Sequence, residues 1–377
     1  MAVRPSAMLE DVVAPGVRVG RIEPLQRRVD RNRWKFVAFM LAFTTFVSVG
    51  FAIVVASGLG VALAWYLAWI FRGNDPLVAH PMALAGQVLL LSFGMSFVAS
   101  GAWALVRLAR SDVTLIRRLD ARVPRPGTYL PTRSALRDMA IAAGIKPVPT
   151  FYIIETSRVN AFVLGRSLSR VRIGMTTGMI EKIPLGEQRA VFANLIARVV
   201  SRDTLWATAV SALMGPIWGY REHDLTRDAD FESGERLGDR TGVTSAAPVG
   251  GFVVFGAAAL VTEALAWYHQ EAAWKAAEKA DAEGMMLLKH PRAMLDAIEH
   301  VLERDNHVPS AGDAYSTLFF CWAGFGFAPE DDPEMRRVAR LREALGAEGA
   351  PRASRPNLPE WPRPPRLEIG IPPDGEA

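Results

Sequence analysis

Hydrolysis, metal binding and redox chemistry each need particular side chains, and this 377-residue sequence holds few of them in useful company. The lone Cys321, inside Phe319-Phe320-Cys321-Trp322, excludes an intrachain disulfide and a multi-cysteine zinc site, and reads as a packing residue. His223, Asp224, Asp230, His269, Glu271, Glu283 and His290 are the acids and imidazoles from which a metal site could be assembled. His223 and Asp224 fall in a polar loop, His269 adjoins the end of an apolar stretch, and His290 precedes Pro291 at an expected helix break. Solvated or interfacial positions are therefore expected for them.

Three ordered segments carry a clearer pattern: Ser157-Arg158-Val159-Asn160-Ala161-Phe162-Val163-Leu164-Gly165, then Thr176-Thr177-Gly178-Met179-Ile180-Glu181, then Arg202-Asp203. Together they resemble the HtpX-like and CAAX prenyl endopeptidase family of membrane zinc metalloproteases, over roughly Ala135 to Leu345. The stretch Asp332-Pro333-Glu334-Met335-Arg336-Arg337-Val338-Ala339-Arg340-Leu341 is similar to the family's His-Pro-x-x-x-x-Arg-Ile segment, with aspartate in place of histidine. The resemblance implies that Asn160, Ala161 and Phe162 lead into an edge strand, which either captures an extended peptide by strand addition or is an ordinary buried hairpin.

In that family the active-site helix bears His-Glu-x-x-His, since residues at i and i+4 share a face, bind one zinc and leave the glutamate to activate water. Counting from Gly178 places the motif at Ala193-Asn194-Leu195-Ile196-Ala197-Arg198-Val199. Asn194 and Arg198 then stand at the two histidine positions and Leu195 at the glutamate. An amide is a neutral ligand, leucine moves no proton, and a guanidinium beside a dication is repelled. Matching Ala280-Asp281 to the family's later helix puts Ala277 at the third ligand position; Glu278 is one residue, about 100°, away from it. No cofactor is expected, although active members hold zinc. The resemblance also places Asp281 beside the vacated position, so Arg198 either pairs with Asp281 or Glu278, or else with Asp203, and replaces the metal as a helix cross-link, or turns toward solvent.

The elements that must position these residues divide between lipid and water. No charge interrupts 36–71 or 81–106, and Arg72-Gly73-Asn74-Asp75-Pro76 breaks the run between them, which reads as a membrane hairpin over 34–110. Arginines and Lys35 before the first span, and Arg107, Arg110, Arg117 and Arg118 after the second, put both flanks in the cytosol. Residues 111–203 and 269–346 read as the soluble peptidase-family domain, with an amphipathic helix over 132–143 and an extended run over 150–154. A second apolar hairpin is expected over 204–268 around a polar loop at 221–245. Residues 1–33 form a cytosolic tail, and 347–377 a proline-rich disordered one.

The fold class expected is an α-helical membrane protein with an α+β zincin-like cytosolic domain, multi-pass in the plasma (inner) membrane. A net charge of +4, with arginines gathered beside apolar segments, argues against a nucleic-acid partner. The partners expected are the lipid bilayer and membrane-protein or peptide segments, or a partner subunit. The function expected is that of a catalytically inactive homologue serving quality control or scaffolding; the alternative is an active membrane metalloendopeptidase with an unorthodox zinc site. A filled cleft around Asn194 is the sign of a purely structural subunit.

Overall fold

A computed structural model describes residues 25–71, 81–216, 249–308, 313–321 and 332–346. The N-terminal residues to 24, the turn at 72–76, the loop at 221–245 and the proline-rich tail lie outside the described residues, as do His223, Asp224 and Asp230.

Helix α1 (Leu25–Phe71) is one helix of 47 residues, about 70 Å at 1.5 Å per residue. It is followed by α2 (Pro81–Ala109). Both contain a stretch long and apolar enough to cross a membrane, Gln26–Ile53 and Leu89–Ala109. Leu90, Leu91, Met95 and Val98 of α2 point outward, as a lipid-facing surface requires. Small and hydroxyl side chains let the two helices meet closely: Ser48 Oγ lies 2.8 Å from Ser100 Oγ, and Gly101 faces Thr44.

After α2 come α3 (Ser111–Arg118), β1 (Ala121–Arg122), α4 (Leu130–Ala142), β2 (Thr150–Ile154), β3 (Ala161–Leu164) and β4 (Arg172–Thr176). Then follow α5 (Thr177–Lys182), α6 (Leu185–Val200), α7 (203–216), α8 (Val249–Met286), α9 (Arg292–Leu302) and α10 (Pro333–Ala344). The expected helix at 132–143 starts two residues earlier, where Pro131 fits the first turn, and ends before Gly144 at φ +69°.

The four strands form one mixed sheet in the order β1-β2-β4-β3, with β2 and β4 parallel and both outer pairs antiparallel. Alternation along β2 sends Phe151 and Ile153 to one face, where they meet α4, α6 and α9 through Leu136, Phe192, Ile196 and Ile298. Tyr152 and Ile154 go to the other face, with Phe162, Leu164, Leu119 and Ala207.

Two expectations change here. The apolar segment beginning at 204 is not an outward-facing span: α7 is walled by protein, its Ala207 and Ala212 against the sheet. Its Trp206, Val210, Leu213 and Met214 pack against Phe39, Phe43, Ala104 and Leu108 of α1 and α2. Its apolar residues are consumed in joining the hairpin to the sheet, so few remain for lipid. Nor does a boundary fall at 268, because α8 runs unbroken from Val249 to Met286 and carries the residues of the expected site at its far end.

Candidate functional site

Helices α6 and α8 carry the positions of interest and lie against each other at Gly284, where an added Cβ would stand 2.9 Å from the backbone nitrogen of Asn194. The turn leading into α6 is built by the Thr-Gly signal. Thr176 Oγ1 accepts from the Met179 amide at 3.1 Å as the α5 cap and ties to Asn160 at 3.0 Å. Gly178 sits where any Cβ would strike the carbonyls of Ser157 and Arg158.

Asn194 meets Ala277 across α6 and α8, and Asn194, Leu195, Arg198 and Ala277 are all sealed: 0%, 0%, 1% and 0% exposed. Asn194 Nδ2 donates to Asp281 Oδ1 at 2.7 Å and more loosely to the Ala277 carbonyl at 3.4 Å, while its Oδ1 has no hydrogen-bond partner among the described residues. The bond between α6 and α8 is therefore made by Asn194, not by Arg198.

The expected pairing of Arg198 with a carboxylate is absent among the described residues. Its guanidinium instead donates to two backbone carbonyls, Phe319 at 2.9 Å and Thr317 at 2.6 Å. The reason is competition. Arg337 of α10 holds Asp281 with Nε and Nη2, both at 2.9 Å, and donates to Glu334 at 2.6 Å and to the Phe320 carbonyl at 3.0 Å. Glu278 is taken by Arg340, and Asp203 by Asn32 at 2.7 Å, with Arg28 3.7 Å away. Burial pulls the Arg198 guanidinium down to about 10, Asp203 acting the other way. Burial also opposes charge on Arg337, yet Asp281 and Glu334 hold it well above its ordinary value.

His269 is interior rather than interfacial: Nε2 lies 2.8 Å from Thr317 Oγ1, and burial, with Arg198 adding to it, lowers its pKa to about 3. His290 is exposed and Glu283 pairs with Arg28. Among the described residues no three His, Cys, Asp or Glu side chains stand close enough to share a metal.

Of the two readings of Asn160-Ala161-Phe162, a peptide-capturing edge and a buried one, the structure has the buried one. Strand β3 does end the sheet, but residues 319–321 of the same chain lie along its free side. The Phe320 amide donates to the Ala161 carbonyl at 2.7 Å, and Phe319 bridges Phe162 in antiparallel fashion. Asn160 Nδ2 donates to the Cys321 carbonyl at 2.6 Å, and Cys321 is fully buried as a packing residue. Phe319 and Phe320 are too apolar to leave exposed, so the chain covers its own edge.

A zinc ion is what the resemblance implies at Asn194, Arg198 and Ala277, and these residues do not fit it. One amide oxygen, a buried cation and a methyl group supply neither the charge nor the donor number of a zinc site. Leu195 offers no base. Arg337 was the functional residue that sequence reasoning missed, although it lies within the quoted segment 332–341.

A family model described as peptidase family M48 matches residues 131–344. A protease HtpX homologue of Thermoanaerobacter pseudethanolicus is 28% identical over 41% of this chain and 47% of its own length. Protease HtpX of Legionella pneumophila is 33% identical over 29% of this chain and 38% of its own, and a protease HtpX homologue of Burkholderia thailandensis is 25% identical over 59% and 70%. The chain thus spans half or less of the length of the first two relatives. No solved structure matches it. With the match covering more than half of the sequence, the chain belongs to peptidase family M48.

Proposed function

We propose that this chain is a catalytically silent member of the family. It is held in the plasma (inner) membrane by several passes, with a zincin-like domain on the cytosolic side, and acts as a scaffold. Its partner is a membrane-protein segment or a partner subunit, in protein quality control. The single observation that carries this reading is that Asn194, Arg198 and Ala277 are solvent-excluded, with Arg198 engaged on backbone carbonyls. Hydrolysis needs a water at an activating centre, and these side chains neither bind a metal nor admit one easily. The covered edge of β3 favours recognition through other surfaces over peptide capture in the family manner. Arginines flanking the apolar helices support the cytosolic placement.

Family membership and the relatives' names favour a second reading, an active membrane endopeptidase with an unorthodox zinc site. The zinc content of full-length protein purified in mild detergent separates the two, beside a homologue retaining His-Glu-x-x-His treated identically. We expect zinc in the homologue, none here, and no chelator-sensitive cleavage of an unfolded protein substrate. Stoichiometric zinc with chelator-sensitive cleavage would establish the second reading.

A further inference from the structure

Away from the M48 centre, a cavity of about 370 Å³ opens beside α3, within the size range of small-ligand sites. Helix α3 follows the apolar α2 after the single residue Arg110, which puts this cavity where the chain leaves the apolar segment. Arg117 and Arg172 line it together with Tyr152, whose hydroxyl accepts from Arg172 at 2.8 Å. Asp112 and Asp120 line it as well.

Asp112 is the informative residue. Its side chain is only 5% exposed, yet Oδ1 has no hydrogen-bond partner among the described residues. Its Oδ2 lies 3.6 Å from Arg172 and 3.7 Å from Arg166, too far for a hydrogen bond. The Nε atoms of both arginines are likewise buried with no hydrogen-bond partner among the described residues, although Arg166 Nε stays within ion-pair distance of Asp112. A buried carboxylate held this loosely has unused capacity for a donor, and the same wall presents cations for an anion. Val113, largely exposed, and Ile116 add an apolar rim to the same cavity, and Leu105 and Val106 of α2 stand exposed just before it.

We propose that this cavity binds the headgroup of an aminophospholipid. The phosphodiester sits at Arg117 and Arg172, the primary ammonium at Asp112, and the acyl chains run over Val113 toward the exposed face of α2. An anionic glycerol headgroup offers Asp112 only neutral hydroxyl donors and no compensating cation. A choline headgroup carries its charge with no N–H to give. The shared chemistry, a phosphodiester bearing a primary ammonium, also exists as soluble glycerophosphoethanolamine; the apolar rim assigns the lipid.

The proposal rests on the membrane placement above, and the test separates the two. Full-length protein is recovered from membranes, delipidated in mild detergent and titrated with dioleoyl phosphatidylethanolamine, phosphatidylglycerol or phosphatidylcholine, with native mass spectrometry counting bound lipid. Phosphatidylethanolamine is expected to bind as one tight equivalent, at least about fivefold more strongly than the other two, on the scale of one charge-assisted hydrogen bond. Asp112→Asn is expected to erase that preference. Arg117→Gln, an exposed change that leaves Arg166 and Arg172 their counter-ion, is expected to weaken phosphatidylethanolamine and phosphatidylglycerol alike. Equal binding of the three lipids, or an unchanged preference in a folded Asp112→Asn together with unchanged affinity in Arg117→Gln, overturns the site. Displacement of the lipid by soluble glycerophosphoethanolamine at equal concentration overturns the lipid assignment. Protein found in the soluble fraction without detergent overturns the membrane placement itself.

Discussion

Among the described residues Arg198 and Arg337 are each only 1% exposed, and they do different work. Arg337 pairs with Asp281 and Glu334, themselves 2% and 1% exposed, so its loss removes the guanidinium that balances two interior carboxylates, with the neutral Asn194 amide still on Asp281. Arg337→Met should cost roughly 3–5 kcal/mol, the range for breaking a buried ion pair from one side. Arg198→Met leaves only the carbonyls of Thr317 and Phe319 unmatched and also removes a charge that burial disfavours. It should be the milder change of the two, and thermal unfolding of both variants in detergent ranks them. Glu187 offers a pH test. Burial raises its carboxyl above the ordinary value even though His300 Nδ1 sits 2.8 Å away and works to lower it. The folded state then holds the proton more tightly than the unfolded chain. Stability from this group is complete below the unfolded value of 4.5 and is lost as pH rises through the folded one. Glu187→Gln should therefore gain stability over wild type at neutral pH and lose that advantage below about pH 4, read from melting temperatures across a pH series.

At the scale of elements, α6, α8 and α10 are joined through one carboxylate, Asp281. Asn194 ties α6 to Asp281 of α8, Arg337 brings α10 to the same carboxylate, and Arg198 draws in the segment around 317–319. The close approach depends on Gly284, whose missing side chain leaves room for the backbone of Ala193 and Asn194 and for Met294. Gly284→Val should destabilise the fold by about 1–3 kcal/mol through overpacking, since helix backbone cannot yield as a flexible side chain can. Denaturant titration of the detergent-solubilised variant measures it, and a neutral result would mean the two helices separate freely. The strap on β3 follows the same logic. An edge strand with free amides is a liability, and Phe319 and Phe320 bury their rings by closing it.

Across the whole molecule, the apolar hairpin and the sheet domain share a core through α7. Trp206 packs edge-on to Phe39 at 5.1 Å, and Arg28 and Asn32 of α1 reach Asp203 at the start of α7. A chain begun at Ser111 loses those partners and exposes Trp206, Val210, Leu213 and Met214 together. We expect that truncation to be insoluble or aggregated without detergent, by sedimentation and size exclusion, while the full-length chain stays monodisperse in detergent. A soluble, cooperatively folding truncation would mean that the shared core is dispensable.

Local chemistry made much of this legible in the sequence. Uncharged runs announced α1 and α2, the extended apolar run at 150–154 announced β2, and the Asn-Ala-Phe, Thr-Gly and Arg-Asp signals placed α6 and the edge strand in order, because each depends on residues near one another in the chain. The unsuitability of Asn194, Leu195, Arg198 and Ala277 for zinc was equally legible, since donor chemistry belongs to the residue type. What the sequence left open were choices among competing partners. Asp281 had Arg198, Asn194 and Arg337 within reach of a plausible fold, and only the packing of α10 against α8 decided for Arg337 and Asn194. Likewise, apolarity at 204–216 was certain, but whether it met lipid or protein depended on which surfaces arrived beside it. Hydrophobic burial has no direction of its own, so the tertiary structure alone decided that α7 joins the hairpin to the sheet.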